Sequence, residues 1–351
     1  MKYLIVGPSW VGDMVMAQSL FIAIKQQQPD AVIDVLAPAW SGPILQRMPE
    51  VRRGIDMPLG HGELQLRTRR KIGQSLKAEG YDQAIVLPNS LKSALIPFWA
   101  SIPVRTGWRG ELRYGLLNDI RVLDKAQRPL MVDRFVALAY PKGAQTSDPL
   151  PKPALKVSAN SVESVLRRHE LHTGRPVLGL CPGAEFGPSK QWPARYYGEV
   201  AASMINAGWQ VWLFGSEKDR TITNEVIGYL PGPQQAHCFN LAGKTSLAEA
   251  VDLLSVPSAV VSNDSGLMHI AAALSRPLVA LYGSTTAAHT PPMSDNSQTL
   301  WLGLECSPCF KRECPLEHQN CMKKLNPDRV LAALSPQLDA ASVIAKGHCT
   351  E

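Results

Sequence analysis

The sequence predicts an α/β protein built of two Rossmann-like domains, each with its own mostly parallel sheet. Three observations lead there. Short apolar runs alternate with amphipathic helical stretches along most of the chain, the pattern of strands covered on both faces by helices. A stretch rich in Pro, Ser and Lys in the middle, PKGAQTSDPLPKPALKVS, has no sustained period and reads as a linker, after which the alternation restarts. The 351 residues are also enough for two domains of ordinary size, each with a substantial core.

In chain order, KYLIVG is a strand, Met14–Gln27 a helix and AVIDVLAP a strand. A helical stretch leads to the strand YDQAIVLPN and the helix SALIPFWAS. After the linker come the strand PVLGLCPG, the helix Ala194–Ala207, the strand WQVWLFGS, the helix Leu247–Leu254, the strand SAVVSND, the helix SGLMHIAAAL and the strand PLVALYGS. In NPDRVLAALSPQLDAAS, Asn326 is placed to cap a helix, with Pro327 in its first position and Asp328 in its first turn. The expected organisation is a domain over 1–155, a second over 156–330, and a closing helix and tail over 331–351 that packs back on the first. Two such units are expected to face each other across a cleft, with ligands at the carboxyl ends of the strands.

The apolar and charged fractions are those of a globular protein. No run of eighteen apolar residues and no apolar leader with a cleavage site is present, so the chain is expected to be cytoplasmic and not membrane-spanning. Charge is uneven: residues 1–150 hold 19 Lys and Arg against 13 Asp and Glu, and the remainder 17 against 17. The whole net charge of +6 therefore lies in the first half, which suits either ordinary solubility or an anionic partner.

The second half carries the clearer chemistry. In VVSNDSGLMHIAAAL a strand ends at Asn263-Asp264-Ser265-Gly266 and a helix follows at once, so its first N–H groups, with Gly266 and the Ser265 hydroxyl, form a diphosphate-type anion site. Asp264 could cap the helix or hold a donor in place, and His269 lies in its first turn. The loop LCPGAEFGPSKQWP carries one cation, Lys190, which as a phosphate partner would neutralise a leaving nucleotide. In LFGSEKD, Ser216 and Glu217 follow a strand, where a carboxylate commonly accepts from ribose hydroxyls. The fingerprint G-x-G-x-x-G is absent, which disfavours NAD, and no Asp-x-Asp pair stands at a strand end to hold a divalent cation. The opening GPSWVGDM poses the opposite problem: a glycine-bearing turn follows a strand, yet Asp13 would repel a phosphate there.

Taken together, GPSWVGDMVMAQSL, PLGHGELQLRTRRKIGQSL, LPNSLKSALIPF, RTGWRGELRYGLLND, CPGAEFGPSKQWP and NDSGLMHIAAAL resemble the ADP-heptose:lipopolysaccharide heptosyltransferases of glycosyltransferase family 9, over nearly the whole chain. The resemblance implies a GT-B fold, with an acceptor-binding first domain and an ADP-heptose-binding second domain. It implies inverting transfer of L-glycero-D-manno-heptose, with no cofactor required. PSWVGDMVM, RTGWRGE and CPGAEFGPSK point to the branch of the family that adds the second heptose, onto the first heptose of heptosyl-Kdo2-lipid A. By resemblance the general base falls on Asp13, the phosphate-binding lysine on Lys190 and the ribose contact on Glu217 with Ser216. The diphosphate loop falls on Asp264, Ser265, Gly266 and His269, and Ser9, Trp10 and Gly12 come within reach of the acceptor sugar. Implied too are a monomer, no nucleic-acid partner, and peripheral contact with the cytoplasmic face of the inner membrane. Other readings of the same architecture are the first heptose transfer, a sugar-nucleotide 2-epimerase, and a non-catalytic nucleotide-sugar-binding module.

The basic residues of the first half, Arg67, Arg69, Arg70 and Lys71 with Lys92, Arg105, Arg109 and Arg113, could meet the acceptor's phosphates and carboxylates. Lastly, ECSPCFKRECPLEHQNCMKKL sets Cys306, Cys309, Cys314 and Cys321 at spacing C-x2-C-x4-C-x6-C with His318 among them. In a cytoplasmic protein such clustering points to a structural zinc, to free thiols or to disulfides formed after lysis, although the spacing is not that of a standard zinc ribbon. Cys181, Cys238 and Cys349 are unrelated to it.

Overall fold

The computed structural model describes residues 1–60 and 62–336. The chain separates into two compact units, one of Met1–Lys156 with Ala288–Thr290, the other of Val157–Ala287 with the described residues from Pro291 onward. Residues 327–336 are helical, and Val330 and Leu334 are buried in the second unit's own core beside Trp192, Tyr197 and Leu325. The rest of the expected tail, 337–351, lies outside the described residues, Cys349 included.

Each unit holds one six-stranded, wholly parallel sheet. The first contains β1 (Lys2–Val6), β2 (Val32–Ala37), β3 (Val51–Asp56), β4 (Gln83–Val86), β5 (Val104–Trp108) and β6 (Asp119–Arg121), in the order β3-β2-β1-β4-β5-β6. The second contains β7 (Val177–Cys181), β8 (Gln210–Leu213), β9 (Cys238–Asn240), β10 (Ala259–Asn263), β11 (Leu278–Leu281) and β12 (Ser297–Leu300), in the order β12-β11-β10-β7-β8-β9. Renumbered from its own first strand, the second sheet has the same order as the first, 3-2-1-4-5-6. In such a sheet strand order reverses between the first and fourth strands, and ligands bind beyond the carboxyl ends there. Those points fall between β1 and β4, and between β7 and β10.

The central strands are legible because burial on both faces makes them continuously apolar: every residue of β7, β10 and β11 is buried. The strands that periodicity passes over are β3, β5, β6, β9 and β12. Four of these are edge strands and β5 lies next to an edge, and β3 leaves Arg52 and Arg53 exposed on the sheet margin. Those arginines are held from inside. Asp34 of β2, fully buried, accepts from Arg52 Nε at 2.8 Å, Arg53 Nε at 3.2 Å and the Tyr81 hydroxyl at 2.6 Å. Burial pushes the Asp34 pKa up, but hydrogen bonds from Arg52 and Tyr81 and the charges of both arginines outweigh it and leave the carboxyl below its usual value.

The linker is tied down at its far end. Gln18, buried in the helix Val11–Gln27, accepts from the Ala154 N–H at 2.9 Å and donates to its carbonyl at 3.0 Å, and Lys156 N–H donates to Arg47 O. A short peptide segment is thus paired as if it were a strand, satisfying backbone groups that burial would otherwise leave without water.

Removing the shared acceptor under β3 should be costly. We expect Asp34→Ala to lower stability by about 3 kcal/mol, because it leaves two cations and a buried hydroxyl without their anion. A shift in the urea midpoint reports it, and an unchanged midpoint would show that the arginines re-pair with Glu79.

Candidate functional site

In the second unit the switch point is built by one asparagine. Asn263, the last residue of β10, is fully buried and donates from Nδ2 to Pro182 O at 2.6 Å. Its Oδ1 accepts from Trp192 N–H at 3.1 Å and from the Tyr197 hydroxyl at 3.0 Å. Pro182 and Trp192 are the two ends of the loop that leaves β7, so a single side chain closes that loop. Trp192 adds an indole N–H to Leu325 O at 2.8 Å and an edge contact with the Tyr197 ring.

Lys190 sits near the end of this closed loop, in a single turn over Pro188–Lys190. Its ammonium donates to Asp264 Oδ2 at 2.6 Å and lies 5.0 Å from the centre of the Phe186 ring. Thr285, just beyond β11, donates its hydroxyl to the same Asp264 oxygen at 2.6 Å. The pair is nearly out of solvent, with side chains 14% and 5% exposed. Directly after Asp264 the helix Gly266–Ala273 begins, capped by Ser265, whose Oγ accepts from Met268 N–H at 3.4 Å. Of the two roles open to Asp264, the structure therefore assigns capping to Ser265 and gives Asp264 the holding of Lys190. An ammonium fixed beside the first N–H groups of a helix is a site for a phosphate anion.

His269 is on the same helix, 5% exposed. Burial pushes its pKa down to about 4, against the pull of the Asp264 charge and with the repulsion of Lys190. At neutral pH it is an uncharged imidazole and adds no positive charge to the anion site.

Glu217 and Ser216 follow β8, the neighbour of β7, and both are exposed. The Ser216 N–H and hydroxyl both donate to Asp219 Oδ2 at 2.8 Å, closing an internal turn. Glu217 is exposed, pairs with Arg220 at 2.9 Å and packs against Gly243, where any Cβ would strike its carboxylate. Asp219 also fills the space beside Gly183 and Gly215, binding the ends of β7 and β8 together.

In the first unit the helix begins at Val11, three residues earlier than periodicity places it, because Trp10 already has the extended backbone of a capping position. Gly12 and Asp13 are therefore inside the first turn, where the helix dipole favours an anion. Asp13, half-buried, follows β1 at that sheet's switch point, and Ser9 and Trp10 are exposed beside it. The basic cluster divides. Arg67, Arg70, Lys71 and Arg109 are exposed, as an acceptor contact would require. Arg105 is not available in that way: its guanidinium donates to Leu116 O and Ile102 O, each at 2.6 Å, and so braces the turn between β5 and β6. Arg69 and Arg113 are buried and serve the same kind of purpose, Arg69 on Leu64 O and Glu63 O, Arg113 on Pro88 O. Carbonyls at loop ends absorb these charges, which residue type alone does not reveal.

Cys306, Cys309, Cys314 and Cys321 are free thiols, each partly exposed, and all four line one small cavity of about 20 Å3 together with His318. Among the described residues no three or more His, Cys, Asp or Glu side chains are arrayed to hold a metal ion. Cys181 and Cys238 are buried in the second unit, where burial raises their thiol pKa values, Cys238 to about 12.

Sequence reading thus names Lys190, Asp264, Ser265, Gly266 and His269 and the structure brings them together. It passes over Asn263, Thr285 and Asp219 as working parts. Asn263 could have been suspected from its position at the end of a fully apolar strand, whereas Thr285 carries no local signal.

The unfolded value for His269 is about 6.5, above its folded one, so as pH falls the unfolded chain binds the proton first and stability present above pH 6.5 is lost between 6.5 and about 4. The carboxylates with lowered values, Asp34, Asp119, Glu79 and Glu249, act at lower pH. We expect the urea midpoint to drop from pH 7 to pH 5, and to drop less in His269→Gln; equal drops would assign the acid sensitivity elsewhere.

Comparison with known proteins places this geometry. The family model "Glycosyltransferase family 9 (heptosyltransferase)" matches residues 69–320. The chain is 51% identical to lipopolysaccharide heptosyltransferase 2 of Salmonella typhimurium, over 98% of this chain and all of that one. It is 53% identical to lipooligosaccharide heptosyltransferase 2 of Haemophilus influenzae, over 86% of this chain and 89% of that one. The solved structure of the Escherichia coli ADP-heptose lipopolysaccharide heptosyltransferase II superposes with a TM-score of 0.87 at 49% identity, covering 97% of this chain and 100% of that one. Two Rossmann-like units with anion-binding features at a switch point, and similarity of this extent, lead to one conclusion: the chain belongs to glycosyltransferase family 9, the heptosyltransferases.

Proposed function

We propose that the protein transfers L-glycero-D-manno-heptose from ADP-heptose onto the first heptose of the lipopolysaccharide inner core, with inversion at the transferred carbon. The observation that carries the donor half of this reading is the Lys190–Asp264 pair beside the start of the helix Gly266–Ala273, at the switch point of the second sheet. Lys190 and the helix N–H groups supply the charge that stabilises departing ADP, so the reading requires no divalent cation. Glu217, exposed beyond β8, would accept from the ribose hydroxyls. The second-heptose acceptor is supported by the names of the relatives with about half their residues in common.

Asp13 is the base in this reading. Inversion needs the acceptor hydroxyl deprotonated on one face of the sugar while the diphosphate leaves from the other. A carboxylate in the first turn after β1 meets the need for a fixed, anionic group at a ligand-binding strand end, and explains why the turn there is not a phosphate cradle. Ser9, Trp10 and Gly12 flank it, and Arg67, Arg70 and Arg109 are the exposed cations left to meet the acceptor's anionic groups. Among the described residues no helix is long and apolar enough to cross a membrane. In this reading a monomer meets the lipid-anchored acceptor at the surface of the cytoplasmic leaflet.

Transfer should be measured in EDTA with two purified acceptors, one ending in Kdo and one ending in the first heptose. We expect product only with the second, at a rate the chelator leaves unchanged; product only with the first would reassign the step, and isomerised donor without acceptor would indicate an epimerase. Asp13→Ala should lower kcat by about a hundredfold to ten-thousandfold while ADP-heptose affinity stays within about threefold. Full turnover in that variant would remove the base assignment.

A further inference from the structure

Lys190 stands on a single turn within a loop, and one turn does not fix a long flexible side chain. What fixes the turn is the cysteine-rich segment. Ser189, 2% exposed, donates its N–H to Arg312 O at 3.1 Å and its hydroxyl to Lys311 O at 2.5 Å, and its Oγ lies 3.0 Å from Ser284 Oγ. Gln319 Nε2 donates to Pro188 O at 3.3 Å. The Phe186 ring has Lys190 at 5.0 Å and the Arg312 guanidinium at 5.6 Å. Gly187 presses so close that a Cβ there would meet Arg312 O at 2.5 Å. Lysine turn and cysteine segment are therefore in contact along four consecutive residues.

The segment is itself anchored. Phe310 N–H donates to Ser284 O at 2.8 Å, and Ser307 Oγ donates to Gly283 O and accepts from Trp301 Nε1 at 2.9 Å. Gly283 and Ser284 follow β11 after Tyr282, and Thr285, next in the chain, holds Asp264. Both partners of the ion pair are thus referred to one point beyond β11: Asp264 through Thr285, and Lys190 through Ser189, Ser284 and the cysteine segment. Ser189 and Ser284 also line the small cavity of the four cysteines.

We propose that the segment Cys306–Cys321 is the seat of the phosphate-binding lysine, and that Ser189 is the positioning residue which registers Lys190 against it. This rests on the reading of Lys190 as a donor-phosphate contact. Ser189 touches neither donor nor acceptor; it sets where the ammonium stands. Its loss should weaken binding of ligands that carry the diphosphate and spare those that do not, a division that general loosening of the fold would not produce.

The test is a double-mutant cycle read by calorimetric binding of ADP and of adenosine to Ser189→Ala, Lys190→Ala and the double variant, with thermal midpoints recorded for each. Lys190→Ala alone should weaken ADP about tenfold or more. Ser189→Ala should weaken ADP about fivefold to tenfold, leave adenosine unchanged, and add nothing in the Lys190→Ala background. Gly187→Ala, which forces turn and segment apart without removing a hydroxyl, should repeat that pattern. If Lys190→Ala leaves ADP affinity intact, the donor-site reading itself fails. If it does not, but Ser189→Ala acts additively with it or weakens adenosine equally, the positioning role is overturned.

Discussion

The structure turns on the ion pair between Lys190 and Asp264. A charged pair taken this far out of water is stable only when its geometry is held and its remaining hydrogen-bonding capacity is used. The fold meets both conditions with adjacent residues of one strand end: Asn263 closes the lysine loop by its two ends, while Asp264 receives the lysine and the Thr285 hydroxyl on one oxygen. The ammonium is held in place by the protein itself, so in the proposed function a diphosphate would meet an oriented cation rather than having to order one. The ammonium has three N–H groups and directs two of them at Asp264, on its backbone carbonyl and its carboxylate, so one donor is left to offer.

The same economy of position recurs in both halves of the chain. Two sheets of identical strand order place their candidate chemistry at equivalent points, Asp13 after β1 and the lysine loop after β7. The signs are opposite, an anion in one and an anion-binding cation in the other. One architecture thus sets a carboxylate beyond the first strand of one copy and an ammonium beyond the first strand of the other, the two groups to which the proposed function gives the base and the diphosphate contact.

Basic residues show why charge counts are a poor guide to sites. The positive excess of the first half includes Arg52 and Arg53, which share Asp34 and Glu79, and Arg69, Arg105 and Arg113, which end on backbone carbonyls. Guanidinium is suited to this because its five donors can close several loop carbonyls at once. Of the basic cluster singled out in the sequence, Arg67, Arg70, Lys71 and Arg109 are exposed.

By itself the sequence determined the two-unit α/β class, the buried central strands, and the helix starts at Leu247 and after Ser265, and it named the residues of the candidate donor site. All of these are local: a doubly covered strand must be apolar, and a helix start needs its cap within a few residues. Only tertiary structure decided which strands complete the sheets, since edge strands such as β3 and β12 carry no apolar run, and which cations are internal. It also decided that Asn263, Thr285 and Ser189 hold the Lys190 loop and Asp264, and that the cysteine segment meets the lysine turn more than a hundred residues away in the chain. Those contacts join residues distant in sequence through single hydrogen bonds, and a hydrogen bond of that kind leaves no periodicity, spacing or composition behind it for a reader of the chain to find.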